Sequence, residues 1–465
     1  MIGNDNRRIA IIGAGITGLS AAFQLKKLGF KITVFEASSR PGGVIRTVRD
    51  KEWLAECGPN TLLETTPTLK QFFKEINLEG RKLYSNPDAE NRYIARYKRP
   101  IILTSSPIGF FLSELYSASA KFRLLMEPFV SRGQGEESVA EFVKRRLGQE
   151  FLDYAIDPLV SGIYAGDPYK ISLIHAFAKV YNLEAKYGSL ILGQIFGARE
   201  RKKRQEISKA NAPKITFDDG LQVLTDTLAD YIKDSIKYNC EVSEIIKNES
   251  GYRVVLKNSD VDSAERFSAV LATSTAYKLA EMKVSNGGKQ IDLSELEKIE
   301  YPPVASVVLG YKREDVKHPV NGFGVLIPRK EGFRILGAIF SSSLFPYRAP
   351  AGYVTLTMYL GGAQNPDIAL KPESELIKMT DEDLRVLLGV NGKIAFAYTA
   401  LNKKAIPQYN VGYGKFLKLF DDVENSMPGL FFAGNYRSGV SLSDSIHSGL
   451  NMANKVARYL EEHKE

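Results

Sequence analysis

Cysteine and histidine are scarce in this chain of 465 residues, which holds two cysteines and four histidines. Cys57 and Cys240 lie far apart. They cannot build a disulfide framework, and without CxxC spacing they offer neither a zinc clasp nor a redox dithiol, which points to a reducing compartment. His175, His318, His447 and His463 are scattered, so no HExxH or other local ligand set exists and metal catalysis is disfavoured. A GxSxG nucleophile elbow and a Walker phosphate loop are missing too, which lowers hydrolase and NTPase readings. No uncharged apolar run approaches the ~20 residues of a membrane-spanning helix, so only peripheral attachment to a membrane stays open. A strand-like run, Arg8 to Ile12, comes almost at once and is expected to leave no room for a cleavable leader ahead of the fold.

What is present is an ordinary globular balance, with 44% hydrophobic and 25% charged residues. That balance excludes wholesale disorder, collagen-like repeats and a multi-span membrane protein, and the length suggests about three domains' worth of chain. Lysine and arginine number 62 against 54 acidic residues, a net charge of +8. An anionic partner and a mildly basic soluble enzyme account for that excess equally well.

The first segment reads strand, turn, helix, strand. Ile9 to Ile12 is apolar, Leu19 to Leu28 has helical periodicity and Lys31 to Phe35 is β-rich. Between them Gly13, Gly15 and Gly18 spell GxGxxG, and Glu36 closes the second strand 18 residues after the last glycine. Each position has a physical use in dinucleotide binding. Gly13 permits the tight turn, Gly15 lets a pyrophosphate approach the backbone, Gly18 lets helix pack on strand, and Glu36 can accept from a ribose hydroxyl. The helix N-terminus adds unpaired N–H groups and a positive dipole end. A purely structural glycine turn is the plainer alternative.

Directly after Glu36 and Ala37 stands Arg40-Pro-Gly-Gly-Val-Ile-Arg-Thr47, an RxGG segment expected to bring Arg40, Gly43 and Val44 back toward the pyrophosphate. This segment resembles the second fingerprint of FAD enzymes of the amine oxidase and phytoene desaturase superfamily. Glu56-Cys-Gly-Pro-Asn60 follows where those flavoproteins run backbone past the isoalloxazine; Gly58 and Pro59 alone would define an ordinary turn there.

Residues 62 to 84 read as a helix and an irregular stretch, and Arg92 to Leu103 as a short hairpin. From Pro107 to about Arg204 the pattern is helical, with stretches at Leu112 to Phe122, Glu137 to Leu147 and Ser189 to Phe196. This part ends in Arg199, Arg201, Lys202, Lys203 and Arg204 beside Leu190, Ile191, Leu192, Ile195 and Phe196, an arrangement suited to anionic lipid headgroups or to a solvated helix end. From Ile215 the chain is mixed again: a helix at Leu221 to Tyr231, short strands near 241 to 246 and 252 to 256, and a buried strand at Val270 to Thr273. Val304 to Tyr311, Gly324 to Ile327, Phe333 to Phe340 and Tyr353 to Leu360 alternate like a predominantly antiparallel sheet. Gly429 to Gly434 reads as a strand feeding a turn and a helix from about Leu442.

Four longer strings narrow the resemblance. Leu159-Val-Ser-Gly-Ile-Tyr-Ala-Gly-Asp-Pro168, Ser341-Ser-Ser-Leu-Phe-Pro-Tyr-Arg-Ala-Pro350, Ala405-Ile-Pro-Gln-Tyr409 and Gly429-Leu-Phe-Phe-Ala-Gly-Asn435 resemble the FAD-dependent protoporphyrinogen oxidases of haem biosynthesis. The flavin-tethering cysteine of monoamine oxidases has no counterpart near the C-terminal segment. The resemblance implies a mixed α/β (α+β) fold: a discontinuous Rossmann-like FAD-binding domain (1–84, 214–285, 405–465), a mixed-sheet substrate domain (85–104, 286–404) and an α-helical membrane-associated insertion (105–213).

It further implies FAD contacts at Gly13, Gly15, Gly18, Glu36, Ala37, Arg40, Gly43, Val44, Gly58, Pro59, Asn60, Thr61, Val242, Ile406, Gly434, Asn435, Val440, Ser441 and Leu442. The last three, at a helix N-terminus, would favour the negative charge of reduced flavin. Arg92 would pair with a propionate, Phe345 and Leu326 would hold a pyrrole, and Gly162 would let backbone approach the macrocycle; a surface arginine, ordinary core residues and a turn glycine are the plainer alternatives. The implied reaction is oxygen-dependent six-electron oxidation of protoporphyrinogen IX to protoporphyrin IX, by hydride transfer from a meso carbon to flavin N5 with hydrogen peroxide released. The rival is coproporphyrinogen III to coproporphyrin III, which basic rim residues such as Arg96, Lys98 and Arg99 would favour. The expected partners are the porphyrinogen, dioxygen, the inner face of the cell membrane on its cytoplasmic side and a second copy of the chain, with no nucleic acid. Many relatives carry a tryptophan and a histidine where Leu401, Asn402 and Tyr413 stand here, which puts the wall of the pocket in doubt.

Overall fold

The computed structural model describes residues 7–104, 106–197, 212–257 and 265–463. The basic cluster Arg199 to Arg204 lies outside the described residues. Five parallel strands form one sheet in the order Ile236–Lys237, Lys31–Phe35, Arg8–Ile12, Ala269–Ala272, Leu430–Phe432. These runs are apolar on both faces because helices cover them. On one side the first helix, Ile16–Lys27, packs against the last, Leu442–Glu462. Their approach is close enough that a β-carbon on Gly449 would lie 2.3 Å from the Thr17 carbonyl oxygen.

A second sheet runs Arg266–Phe267, Gly251–Leu256, Val242–Asn248, Lys283–Asn286, Lys289–Ile291. It corrects the expected boundary at 285: Lys283–Asn286 pairs parallel to Val242–Asn248 and turns back at Gly287 and Gly288, both at positive φ, into Lys289–Ile291, so the unit continues to Ile291.

The largest sheet has seven strands, in the order Phe396–Asn402, Val304–Lys312, Tyr353–Gly361, Ile335–Ile339, Gly322–Leu326, Asn91–Arg96, Arg99–Ile102. All neighbours are antiparallel except Gly322–Leu326 with Asn91–Arg96, where the early hairpin joins a late sheet. Tyr97 and Lys98, at φ 56° and 59°, make the tight turn of that hairpin, the left-handed pair that matches strand twist. Two helices not anticipated from the sequence, Glu373–Leu388 and Gly414–Ser426, add cover; the first buries Leu376, Leu384, Leu387 and Leu388 on one face.

Residues 107–196 are helical as expected, with one difference. The stretch expected as one helix from Leu112 to Phe122 is two, Pro107–Leu112 and Ala118–Leu125. Ser117 separates them because its side chain accepts from the Ala120 N–H and caps the second helix. This region is tied by a buried ion cluster in which Arg146 pairs with Glu127 at 2.8 Å and with Glu184 at 2.5 Å.

Candidate active site

The glycine turn behaves as its spacing predicts. Gly13 sits at φ 103°, and its N–H donates to the Phe35 carbonyl at 2.8 Å. Gly18 has no alternative, since a β-carbon there would lie 2.0 Å from the Gly13 carbonyl oxygen. A β-carbon on Gly15, by contrast, would meet no heavy atom within 4 Å, so the backbone at the helix N-terminus is open to a ligand. Glu36 Oε2 accepts from the Ala14 N–H at 2.7 Å, while Oε1 accepts from the Ser38 N–H and hydroxyl. With two acceptor sites on each oxygen, Oε2 keeps one for a ribose hydroxyl. The segment beside Glu36 leads to Val242: Cys240 N–H donates to the Glu36 carbonyl at 2.8 Å, and Val242 starts the next strand.

The RxGG segment folds back onto this turn. Gly42 N–H donates to the Ala14 carbonyl at 2.8 Å, and a β-carbon on Gly43 would lie 3.8 Å from Gly15 Cα. Val44 is exposed, and its carbonyl lies 2.5 Å from where a Gly58 β-carbon would project. Arg40 differs from expectation. Its guanidinium donates to the carbonyls of Pro41, Ile45 and Gly43, so it organises its own loop instead of reaching out to phosphate.

At the far end, Ser441 caps the last helix through a reciprocal box with Asp444. The N–H groups of Leu442 and Ser443 then have no partner among the described residues, which leaves a donor pair at a positive dipole end. Ser443 Oγ also donates to the Leu63 carbonyl at 2.5 Å, joining this helix start to the segment after Asn60 and Thr61. Gly434 and Asn435 lead into this end of the chain; the Tyr409 hydroxyl bonds the Asn435 carbonyl and receives the Gly439 N–H at 3.0 Å. Tyr413, in the departed position, is buried and donates to the Tyr436 carbonyl at 2.6 Å, while Asn402 donates to the Cys57 carbonyl at 3.3 Å. Ile406 and Val440 both pack against the core of the helical region. Burial pushes the Cys57 thiol up, so it stays a neutral core group.

The seven-stranded sheet supplies the other wall. One row of its cross-strand partners, Tyr93, Val325, Ala338, Met358 and Val307, lies in the sheet's own core. Side chains alternate across a sheet, so the flanking rows occupy the opposite face. They are Arg92–Gly324–Ile339–Thr357–Val308 and Ile94–Leu326–Gly337–Tyr359–Ser306. Both rows end on the strip Glu56–Asn60: Asn60 Nδ2 lies 3.3 Å from Thr357 Oγ1, the Tyr359 hydroxyl donates to the Gly58 carbonyl at 3.0 Å, and the Ser306 hydroxyl donates to the Glu56 carbonyl at 3.4 Å. Arg92 stands three strand spacings away from the Thr357 and Tyr359 strand, roughly 14 Å. Gly324 and Gly337 leave both rows bare at mid-course.

Gly162 lies on a helix, Asp157–Tyr164, and not in a turn. A β-carbon on it would approach Leu326 Cδ2 to 2.7 Å, so this exposed helix face closes over the Leu326 row. Phe345 is a correction. It is 1% exposed, packed with Ala89, Leu344, Phe323 and Ile339, because the helical turn Ser341–Leu344 swings it into the core. The basic rim is a second correction: Arg96 is bound to Glu150 at 2.7 Å, Arg99 to Glu114 at 2.5 Å, and Lys98 to the Glu331 carbonyl. All three already have partners within the chain.

Sequence reasoning missed Tyr359 and gave Glu56 and Gln408 no role beyond the strings that contain them. Glu56 and Arg348, both nearly fully buried, pair at 2.9 Å and pin the cofactor strip to the sheet. Gln408 Nε2 donates to the carbonyls of Tyr164 and Ile406, linking the helical region to the segment at Ile406. Only the alternation of strands far apart in sequence could have found Tyr359. The fit of a flavin dinucleotide rests on the open Gly15 backbone and on Asn60 Oδ1, a buried oxygen with no hydrogen-bond partner among the described residues.

The chain compares with known proteins over nearly its whole length. The flavin containing amine oxidoreductase family matches residues 16–457. Protoporphyrinogen oxidase 2, chloroplastic/mitochondrial, of Arabidopsis thaliana is 36% identical, over 98% of this chain and 95% of the relative. Coproporphyrinogen III oxidase of Bacillus subtilis (strain 168) is 29% identical, over 98% of this chain and 99% of the relative. The crystal structure of reduced UDP-galactopyranose mutase shares the fold at a TM-score of 0.74 and 16% identity, covering 98% of this chain and 94% of that one. A glycine cradle, a second fingerprint folded back on it and a helix start at the far end thus belong to an FAD enzyme, and the chain is a member of the flavin-containing amine oxidoreductase family, on its protoporphyrinogen oxidase branch.

Proposed function

We propose that this chain oxidises protoporphyrinogen IX to protoporphyrin IX in haem biosynthesis, with dioxygen as the final acceptor. The observation that carries the reading is the pair of side-chain rows that run from Arg92, past two bare glycines, to the strip Glu56–Asn60. A flat apolar ring with carboxylates at its rim fits that order: guanidinium fork first, apolar floor next, cofactor last. Bound FAD supplies an electron-pair acceptor for each of three two-electron steps and a site where dioxygen becomes hydrogen peroxide.

The residues of the chain position and exclude. Arg92 offers a fixed two-donor fork to a propionate. Leu326 and Ile339 form the floor, and the Gly162 helix face, lacking a side chain, lets a macrocycle slide between helix and sheet. Neither row carries a histidine, a carboxylate or a thiol. Within the two rows the titratable groups are Arg92 and Tyr359, and burial raises the Tyr359 pKa, so Tyr359 remains a donor to the Gly58 carbonyl and not a base. The hydride path therefore needs placement and not a proton relay. Steady-state porphyrin fluorescence with both porphyrinogens in parallel tests this. The account expects protoporphyrinogen IX to be preferred, because Arg96, Lys98 and Arg99 are already paired; a clear preference for coproporphyrinogen III would move the assignment to the rival.

Membrane attachment is part of the same proposal. Ile108, Leu112 and Phe129 are 75%, 79% and 81% exposed, and Phe111, Phe122 and Leu125 are exposed with them, all on residues 107–129. An apolar patch of this kind on one helical region suits a lipid surface on the cytoplasmic face of the cell membrane. Among the described residues no helix is long and apolar enough to cross a membrane. Co-sedimentation with anionic phospholipid vesicles checks the reading, and protein that stays in the supernatant at low salt contradicts it. The organisation that supports this function is a cofactor unit of residues 7–84, 214–257, 265–291 and 405–463, a sheet unit of 85–104 and 292–404, and the helical region 106–197.

A further inference from the structure

Lys214 lies near Arg92, and the sequence reading did not single it out. It opens the strand Lys214–Phe217, which is clamped between Leu62–Leu63 and Lys82–Tyr84. Leu63 is its register partner, and the Ser85 N–H donates to its carbonyl at 2.9 Å. The backbone is thus fixed on both sides, three residues beyond Asn60 and next to the carbonyl that holds the start of the last helix.

The side chain runs toward the Arg92 end of the sheet. Its Nζ lies 5.9 Å from the centre of the Phe323 ring. Phe323 is the extra residue of the bulge that lies opposite Asn91 and Arg92. Lys214 is half-buried, and its pKa is lowered first by that burial and then by the positive charge of Arg92, with Glu90 opposing.

Neighbouring cations show what is unusual here. Lys82, on the adjacent strand, bonds Glu64 and Glu79; Arg81 bonds Asp218; Arg348 bonds Glu56. Lys214 has no hydrogen bond or ion pair from its side chain to any described residue. A half-buried ammonium beside a second cation is costly unless an anion joins them.

We propose that Lys214 is a second carboxylate-binding residue of the site, taking one propionate of the porphyrinogen while Arg92 takes its neighbour. The inference rests on the porphyrinogen reading above and adds a specificity-determining position to it. The two propionates of protoporphyrinogen IX hang from adjacent pyrrole units, so two cations at one end of the face match a dicarboxylate edge. The flexible stem of lysine lets its point charge follow the second carboxylate, while the rigid fork of Arg92 fixes the first.

The test uses the FAD-loaded full chain and protoporphyrinogen IX. Lys214→Gln should raise KM about tenfold, the range of a lost charged hydrogen bond, with kcat within twofold and flavin content unchanged. Lys214→Arg should restore most of the affinity, which a merely structural role would not require. An unchanged KM in Lys214→Gln overturns the inference, as does a loss confined to kcat or to flavin content. A wild type inert toward porphyrinogens would instead overturn the proposed function and this inference with it, whereas an active wild type with an indifferent Lys214→Gln removes only Lys214.

Discussion

The glycine cradle and the proposed substrate face of this molecule are built by opposite means. In the cradle, residues 9–58, most determinants lie within one βαβ unit and its return loop, and they act through what glycine lacks: Gly18 because a β-carbon would strike the Gly13 carbonyl, Gly15 because its backbone must stay open. In the face, five strands drawn from residues 91 to 361 each contribute two residues, and no two adjacent members of a row come from the same strand. A cradle set by local backbone tolerates no side chain. A face set by long-range register tolerates changes of wall but not of spacing.

That contrast can be broken or sharpened by substitution. The largest effect is expected from Gly18→Val. It forces branched atoms into a place where one β-carbon would already lie only 2.0 Å from the Gly13 carbonyl oxygen, at a cost of about 3 kcal/mol or more, and the purified protein should be colourless. Full yellow occupancy would show the cradle to be less constrained than argued. Next, Arg92→Ala removes a charged fork worth ~2 kcal/mol. It should lower kcat/KM for protoporphyrinogen IX about thirtyfold while FAD stays bound; co-loss of flavin would mean that the two regions are not separable. A smaller change follows from Gly162→Ala. The new β-carbon meets the end of the Leu326 side chain at 2.7 Å, a neighbour that can rotate, so KM should rise about fivefold with little change in melting temperature. The smallest effect on turnover belongs to Arg96→Gln, because Arg96 is spent on Glu150 and the Leu115 carbonyl. Its KM should stay within twofold even as thermal stability falls, and a large rise would return Arg96 to the rim.

The same contrast explains what could be read from the sequence. The glycine turn, Glu36, the RxGG return and the start of the last helix near Leu442 are short-range patterns, each with a local steric or hydrogen-bonding cause, and they appear where the spacing put them. Arg40 was legible as part of the loop but not in its role, since the three carbonyls it binds are fixed only once the loop closes. Phe345 looked like a ring wall because aromatic residues serve both cores and ligands, and only the helical turn before it decides between them. Arg96, Lys98 and Arg99 looked available because their partners Glu150, Glu331 and Glu114 come from other parts of the chain. Tyr359 and Lys214 were illegible for the same reason: nothing near them in sequence shows which strand they will face.

The account turns on a porphyrinogen edge gripped at Arg92 and a meso carbon held over the strip from Glu56 to Asn60. The most direct test is anaerobic stopped-flow mixing of the FAD-loaded enzyme with protoporphyrinogen IX. The account predicts a saturable bleaching of the oxidised-flavin absorption, slower at limiting substrate in Arg92→Ala, with admission of air restoring the yellow colour. A flavin that stays fully oxidised at saturating porphyrinogen would contradict it.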